Sequence, residues 1–162
     1  NLNRDQPFAQ LINENSPWPK AEGRDTRAKN IRFRGYFLSG ERRHPVFGYK
    51  IGKNLNVTDY LEPQAGSLPS IIRNLRIRGT DEVWYLAASG KSISEDNGYY
   101  NIDNSMLQIG FPELDDLSPI IRENSGREEL LFKLKIDGQL SLKQHYRWNV
   151  KQILKEHAHE KK

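Results

Sequence analysis

Residues 130–142, Leu130-Leu131-Phe132-Lys133-Leu134-Lys135-Ile136-Asp137-Gly138-Gln139-Leu140-Ser141-Leu142, decide the fold class. Leu130, Phe132, Leu134 and Ile136 alternate with Lys133 and Lys135. That period of two is what a strand needs when one face lies in a core and the other in water. Asp137-Gly138 is then the signal for a two-residue hairpin, because both central positions of such a turn need positive φ. The return limb, Gln139 to Asn149, sets Leu140, Leu142, Tyr146 and Trp148 on one face and Ser141, Lys143, His145 and Arg147 on the other. The expectation is a hairpin that turns at 137–138, with Trp148 inside.

The same period runs through the preceding chain. From Asn30, Ile31, Phe33, Gly35 and Phe37 share one strand face, and Arg32, Arg34 and Tyr36 the other. Ser39-Gly40-Glu41-Arg42 turns the chain into a second strand, Pro45 to Ile51, which predicts a hairpin. Asn54 to Leu61 is a third strand. Ser70 to Arg78 is a fourth, ended by Gly79-Thr80-Asp81 read as a turn. Glu82 to Ala88 is apolar on both faces, as a central strand is. Ser89 to Asn104 reads as a polar excursion, and Ser105 to Phe111 and Ser118 to Glu123 as further strands.

Eight or nine short strands at this spacing suit a sandwich or a barrel. The predicted architecture is a mostly β chain with an antiparallel β-sandwich over residues 29–149. Residues 1–28 form an irregular lead-in, since Pro17-Trp18-Pro19 removes donors and fixes φ, and Trp18 is expected to anchor it on the body. Residues 150–162 are charged and helix-permissive, a short helix or tail.

Composition narrows the function classes. The 162 residues suit one domain, and 36% hydrophobic with 28% charged residues is polar but not the signature of disorder. The 25 basic and 21 acidic residues are interspersed, so the net charge of +4 argues for solubility and not for a nucleic-acid partner. With no cysteine, the chain has no thiol nucleophile, disulfide, Cys-ligated zinc, iron–sulfur ligand or covalent haem attachment. No apolar run is long enough for a helical membrane span. The sequence opens on Asn1 without a visible signal peptide and is read as a processed form or a fragment.

No catalytic residue is assigned. His44, His145, His157 and His159 fit no metal-ligand spacing, and no nucleophile elbow or phosphate-binding glycine loop is present. Glu95-Asp96 and Asp115-Asp116 are adjacent loop acids, unlike a carboxyl pair across a cleft. Asp96 and Asp103, in an oxygen-rich loop, are weak calcium candidates beside the simpler role of turn formers. Arg32, Arg34, Arg42 and Arg43, with Trp18, are the candidate partner-binding residues; a solvated sheet face is the alternative for the arginines. Tyr85, Tyr99 and Tyr100 are candidate stacking platforms for a polysaccharide, whereas Trp84 and Trp148 are assigned to the core.

Five stretches carry a resemblance. Pro7-Phe8-Ala9-Gln10-Leu11 with Pro17-Trp18-Pro19 resembles a lead-in of the form PFA-x-L … PWP. Phe33-Arg34-Gly35-Tyr36-Phe37-Leu38, with Pro45 to Gly52, resembles FRGYRLD … GRPTFRYRVG, and Val57 to Pro63 resembles VEDYPEP. Ile71 to Arg78 and Val83 to Ala88 are similar to RTLTVSG and LWFRLAAG. This order resembles the β domain of large secreted proteins of Planctomycetes, Verrucomicrobia and Bacteroidetes, which join a sorbosone- or glucose-dehydrogenase-like propeller to c-type cytochrome modules. The resemblance spans most of residues 7–148. It implies a bacterial periplasmic or extracellular setting and an accessory role in electron transport, docking on a larger redox chain. Haem c or PQQ would reside in that chain and not in this one.

Overall fold

The computed structural model describes residues 7–19, 31–41, 43–66, 68, 70–105, 107–113 and 117–148. The strands are β1 (Phe8–Ala9), β2 (Ile31–Ser39), β3 (His44–Ile51), β4 (Leu55–Gln64), β5 (Ser70–Gly90), β6 (Ile93–Asp96), β7 (Tyr99–Ile102), β8 (Leu107–Gly110), β9 (Ile120–Asn124) and β10 (Arg127–Trp148). All pair antiparallel in one sheet of order β2-β3-β4-β5-β10-β8-β7-β6, with β1 beside β5 and β9 beside β10. The mostly antiparallel β expectation holds. The helix or tail expected at 150–162 lies outside the described residues.

The decisive stretch behaves differently from its reading. β10 runs unbroken through Asp137-Gly138, and β5 runs unbroken through Gly79-Thr80-Asp81. The two strands pair from Glu128↔Gly90 to Tyr146↔Ile71, with Gly138 facing Gly79. A two-residue hairpin needs positive φ at both central positions. Here Gly138 has φ +86 while Asp137 stays in the ordinary region, so the dipeptide bends a strand instead of reversing it. Gly79, at φ +131, has no room for a side chain: a Cβ there would lie 2.0 Å from the Asn54 carbonyl oxygen. The true reversals stand elsewhere. Asn97-Gly98 joins β6 to β7 and Ser125-Gly126 joins β9 to β10, each with positive φ at both residues.

The paired bend folds the β5–β10 ribbon onto itself. One pair of arms (70–78 with 139–148) belongs to an eight-strand layer with β2, β3, β4, β8, β7 and β6. The other pair (80–90 with 127–137) makes a four-strand layer with β1 and β9. Side chains of both arms interleave: Leu75, Ile77 and Leu142 pack with Val83, Tyr85, Phe132 and Leu134 in one cluster. The Tyr85 hydroxyl donates to Gln144 Oε1 across the layers, and the Gln144 amide donates to the Ala87 carbonyl at 3.0 Å. Phe111 and Phe132 meet edge-on with ring centroids 4.5 Å apart.

The outer face of the small layer is also covered, which explains why Glu82 to Ala88 is apolar on both sides. Trp84, Leu86 and Leu131 pack against Ala9 and Trp18 of the lead-in. Arg122 pins that segment by donating to the Ser16 carbonyl at 2.7 Å and to the Glu14 carbonyl, while pairing with Glu129 at 2.7 Å.

Two side-chain assignments need correction. Arg34 is the extra residue of a β-bulge against β3, so the alternation of β2 reverses after it. Phe33 and Tyr36 therefore share a face with Phe47, and Phe37 points to the other side. Trp148, expected in the core, is 42% exposed. It sits at the end of β10 against Leu107, beyond the reach of the small layer.

Candidate docking faces

The two layers differ in width. At a strand spacing of about 4.8 Å, four strands cover roughly half of the inner face that eight present. The uncovered part lies toward β2. Phe33, Tyr36, Leu38, Leu61, Ile71 and Trp148 are between 42% and 65% exposed, and the registers Tyr36↔Phe47, Leu61↔Arg73 and Ile71↔Tyr146 place them on the inner side of the large layer. Phe33 and Tyr36 flank the half-buried rings of Phe47 and Tyr49 at 5.7–6.5 Å. Exposed apolar side chains on the inner side of a layer are candidates for a contact surface.

A fixed ion pair forms the floor of this corner. Arg73 donates from Nε to Asp59 Oδ1 at 3.0 Å and from Nη2 to Oδ2 at 2.6 Å. Burial opposes the guanidinium charge, but the hydrogen bonds and the negative charge of Asp59 outweigh it and hold Arg73 above its ordinary pKa. Burial raises the hydroxyls of Tyr49, Tyr85 and Tyr146 around it, so they remain neutral hydrogen-bonding groups near neutral pH. The cluster can orient and rigidify.

The opposite side of the large layer is basic. Arg32 pairs with Lys50 across β2 and β3, and Lys50, Asn56, Arg78 and Gln139 continue one row through β4 and β5 to β10. The next row holds Gly48, Thr58, Arg76 and Ser141, with the Cβ of Arg34 lying over Gly48. Arg32, Arg34, Arg76 and Arg78 are exposed and Lys50 is half-buried. Arg78 donates to Gln139 at 3.0 Å, and no carboxylate stands in either row.

The predicted partner residues divide accordingly. Arg32 and Arg34 belong to the basic rows. Arg43 is exposed in the β2–β3 turn, outside the ladder, and Arg42 lies outside the described residues. Trp18 is only 4% exposed, packed with Ala9 against Trp84, Leu86 and Leu131 of the small layer, away from the basic rows. Lys50, Arg76 and Arg78 were missed because each is one of many cations in sequence. The strand register alone makes them neighbours.

The polysaccharide platform does not assemble. Tyr85 is fully buried. Tyr99 and Tyr100 are successive strand residues and face opposite sides of the sheet. Tyr99 lies on Gly110, hydrogen-bonds His145 Nδ1 at 3.1 Å, and has the Arg147 guanidinium 3.2 Å above its ring. Tyr100 is half-buried against Phe111.

The calcium candidates are engaged in turns. Asp103 Oδ1 accepts from the amides of Lys91 and Ser92, and Asp96 accepts from Asn97 at 2.8 Å. Among the described residues no three His, Asp or Glu side chains converge to hold a cation. An open groove of about 580 Å³ runs between the lead-in and the small layer, lined by Gln10, Leu11, Asn13, Glu14, Trp84 and Ile120. It contains none of the predicted site residues.

No helix among the described residues is long and apolar enough to cross a membrane. In comparison with known proteins, the chain matches no family model, no curated protein and no solved structure.

Proposed function

We propose that this chain is a non-catalytic docking domain, holding a larger protein chain against the uncovered inner corner of its wide layer. One observation carries the reading: five apolar side chains, Phe33, Tyr36, Leu38, Leu61 and Ile71, stand exposed on the inner side of β2, β4 and β5. Such a surface costs solubility unless a partner covers it. The rigid Asp59–Arg73 floor supports the same role, since it fixes the strands that present the patch. The resemblance read from residues 7–148 supplies the partner class: a periplasmic or extracellular redox chain that carries haem c or PQQ, served by this domain as an accessory. The polysaccharide reading loses its support with Tyr85 buried and the Tyr99 ring covered by Arg147.

The test is co-purification under gentle conditions. Tagged chain, expressed in its source cells, is expected to retain a haem-bearing protein detected by its visible spectrum. A Tyr36→Ser/Leu61→Ser variant, equally folded by circular dichroism, is expected to lose it. Retention of that protein by the variant, or a wild-type chain that elutes alone, would overturn the reading.

A further inference from the structure

We propose that the outer side of the wide layer is a second binding surface, and that its partner is an acidic protein surface presenting clustered Asp and Glu carboxylates. Five cations, Arg32, Arg34, Lys50, Arg76 and Arg78, occupy two adjacent cross-strand rows whose remaining members are Asn56, Thr58, Ser141, Gln139 and Gly48. Strand geometry sets their spacing at about 5 Å between adjacent strands and about 7 Å between rows. That is the spacing of carboxylates on a helix or sheet surface. Four of the five are arginines, whose planar fork binds a carboxylate in two parallel hydrogen bonds. The amides and hydroxyls between them add neutral donors. No aromatic ring stands in these rows to stack a base, which disfavours single-stranded nucleic acid. Arg32, Arg34, Arg76 and Arg78 are exposed on this face, which suits surface-to-surface contact better than a threaded polysaccharide.

The inference deepens the docking reading and rests on it in taking the anion to be a protein. The two surfaces lie on opposite sides of β2, so each can fail without the other.

The experiment uses a fluorescein-labelled deca-glutamate peptide as the probe, with fluorescence anisotropy on the full chain at low salt. Two variants change the net charge equally, from +4 to 0 (4 − 2 × 2): Arg76→Glu/Arg78→Glu on the surface, and Lys91→Glu/Lys135→Glu away from it. The first should weaken binding at least about tenfold and the second less than about twofold, with wild-type affinity falling as salt is raised. A Tyr36→Ser/Leu61→Ser variant should bind the peptide normally even though it loses the docking partner. Equal losses in the two charge variants would reduce the effect to bulk charge and overturn the proposal. So would an absence of peptide binding. A heparin decasaccharide that binds the same residues more than about tenfold tighter than the peptide would overturn the partner class.

Discussion

Replacing Gly79 by alanine strikes the bend that makes two layers from one sheet. An L side chain at φ +131 carries strain of roughly 1–3 kcal/mol. Its Cβ would also stand 2.0 Å from the Asn54 carbonyl oxygen and 3.2 Å from Leu55 Cδ2. Leu55 is fully buried, so the backbone at 54–55 has little freedom to withdraw. Overpacking of this kind adds roughly 1–3 kcal/mol, for a total of about 2–6 kcal/mol. Gly138, its cross-strand partner, supplies the internal control. It shares a positive φ, +86, but a Cβ there meets nothing within 4 Å. Gly138→Ala should cost only the backbone strain, about 1–2 kcal/mol. Urea unfolding followed by tryptophan fluorescence reads both, and at about 2–4 °C per kcal/mol the extra overpacking of the Gly79 variant should make it melt about 2–12 °C below the Gly138 variant. Equal costs, or the reverse order, would refute the claim that the Asn54 contact locks the bend.

Other outcomes follow from the same structure. Arg73→Leu should destabilise by about 3–5 kcal/mol because it leaves Asp59 buried without its partner; in an equilibrium-unfolding double-mutant cycle, Asp59→Leu/Arg73→Leu should regain more than about half of that loss. Trp18→Ala should cost about 3–5 kcal/mol in the same assay, and should raise proteolytic cutting in the lead-in, since it uncovers Trp84, Leu86 and Leu131. His145 is pushed below its ordinary pKa, by burial first and by the Arg147 charge second. The unfolded chain therefore binds the proton more readily, and stability should fall as pH drops below about 6.5, the ordinary histidine value. His145→Gln should flatten that part of the pH–stability curve, and an unchanged slope would count against the cause.

Alternation carried most of what the sequence could say. Leu130, Phe132, Leu134 and Ile136 are all buried and Lys133 and Lys135 exposed, because a period of two survives any choice of partner strand. Glu82 to Ala88 was legible as central because apolar residues on both faces have few other homes. Turn chemistry was read less well. Asp137-Gly138 and Gly79 look like reversals, yet glycine serves a bend as well as it serves a turn, and local sequence does not choose between them. Asn97-Gly98 carried a hairpin signal of the same strength inside a segment read only as an excursion. The candidate docking faces were half legible. Arg32 and Arg34 stood out as a pair on one strand, whereas Arg76, Arg78 and Lys50 join them only through register. The uncovered corner depends on the difference in width between two layers, and no local pattern encodes that difference.

The most direct measurement is hydrogen exchange on the gently isolated assembly, compared with the free chain. If the uncovered corner is the docking site, amides of β2 and of the Leu61 and Ile71 region will exchange more slowly in the assembly, while those beside the groove at residues 10–15 will not change. Protection confined to the groove, or no protection at β2, would contradict the account.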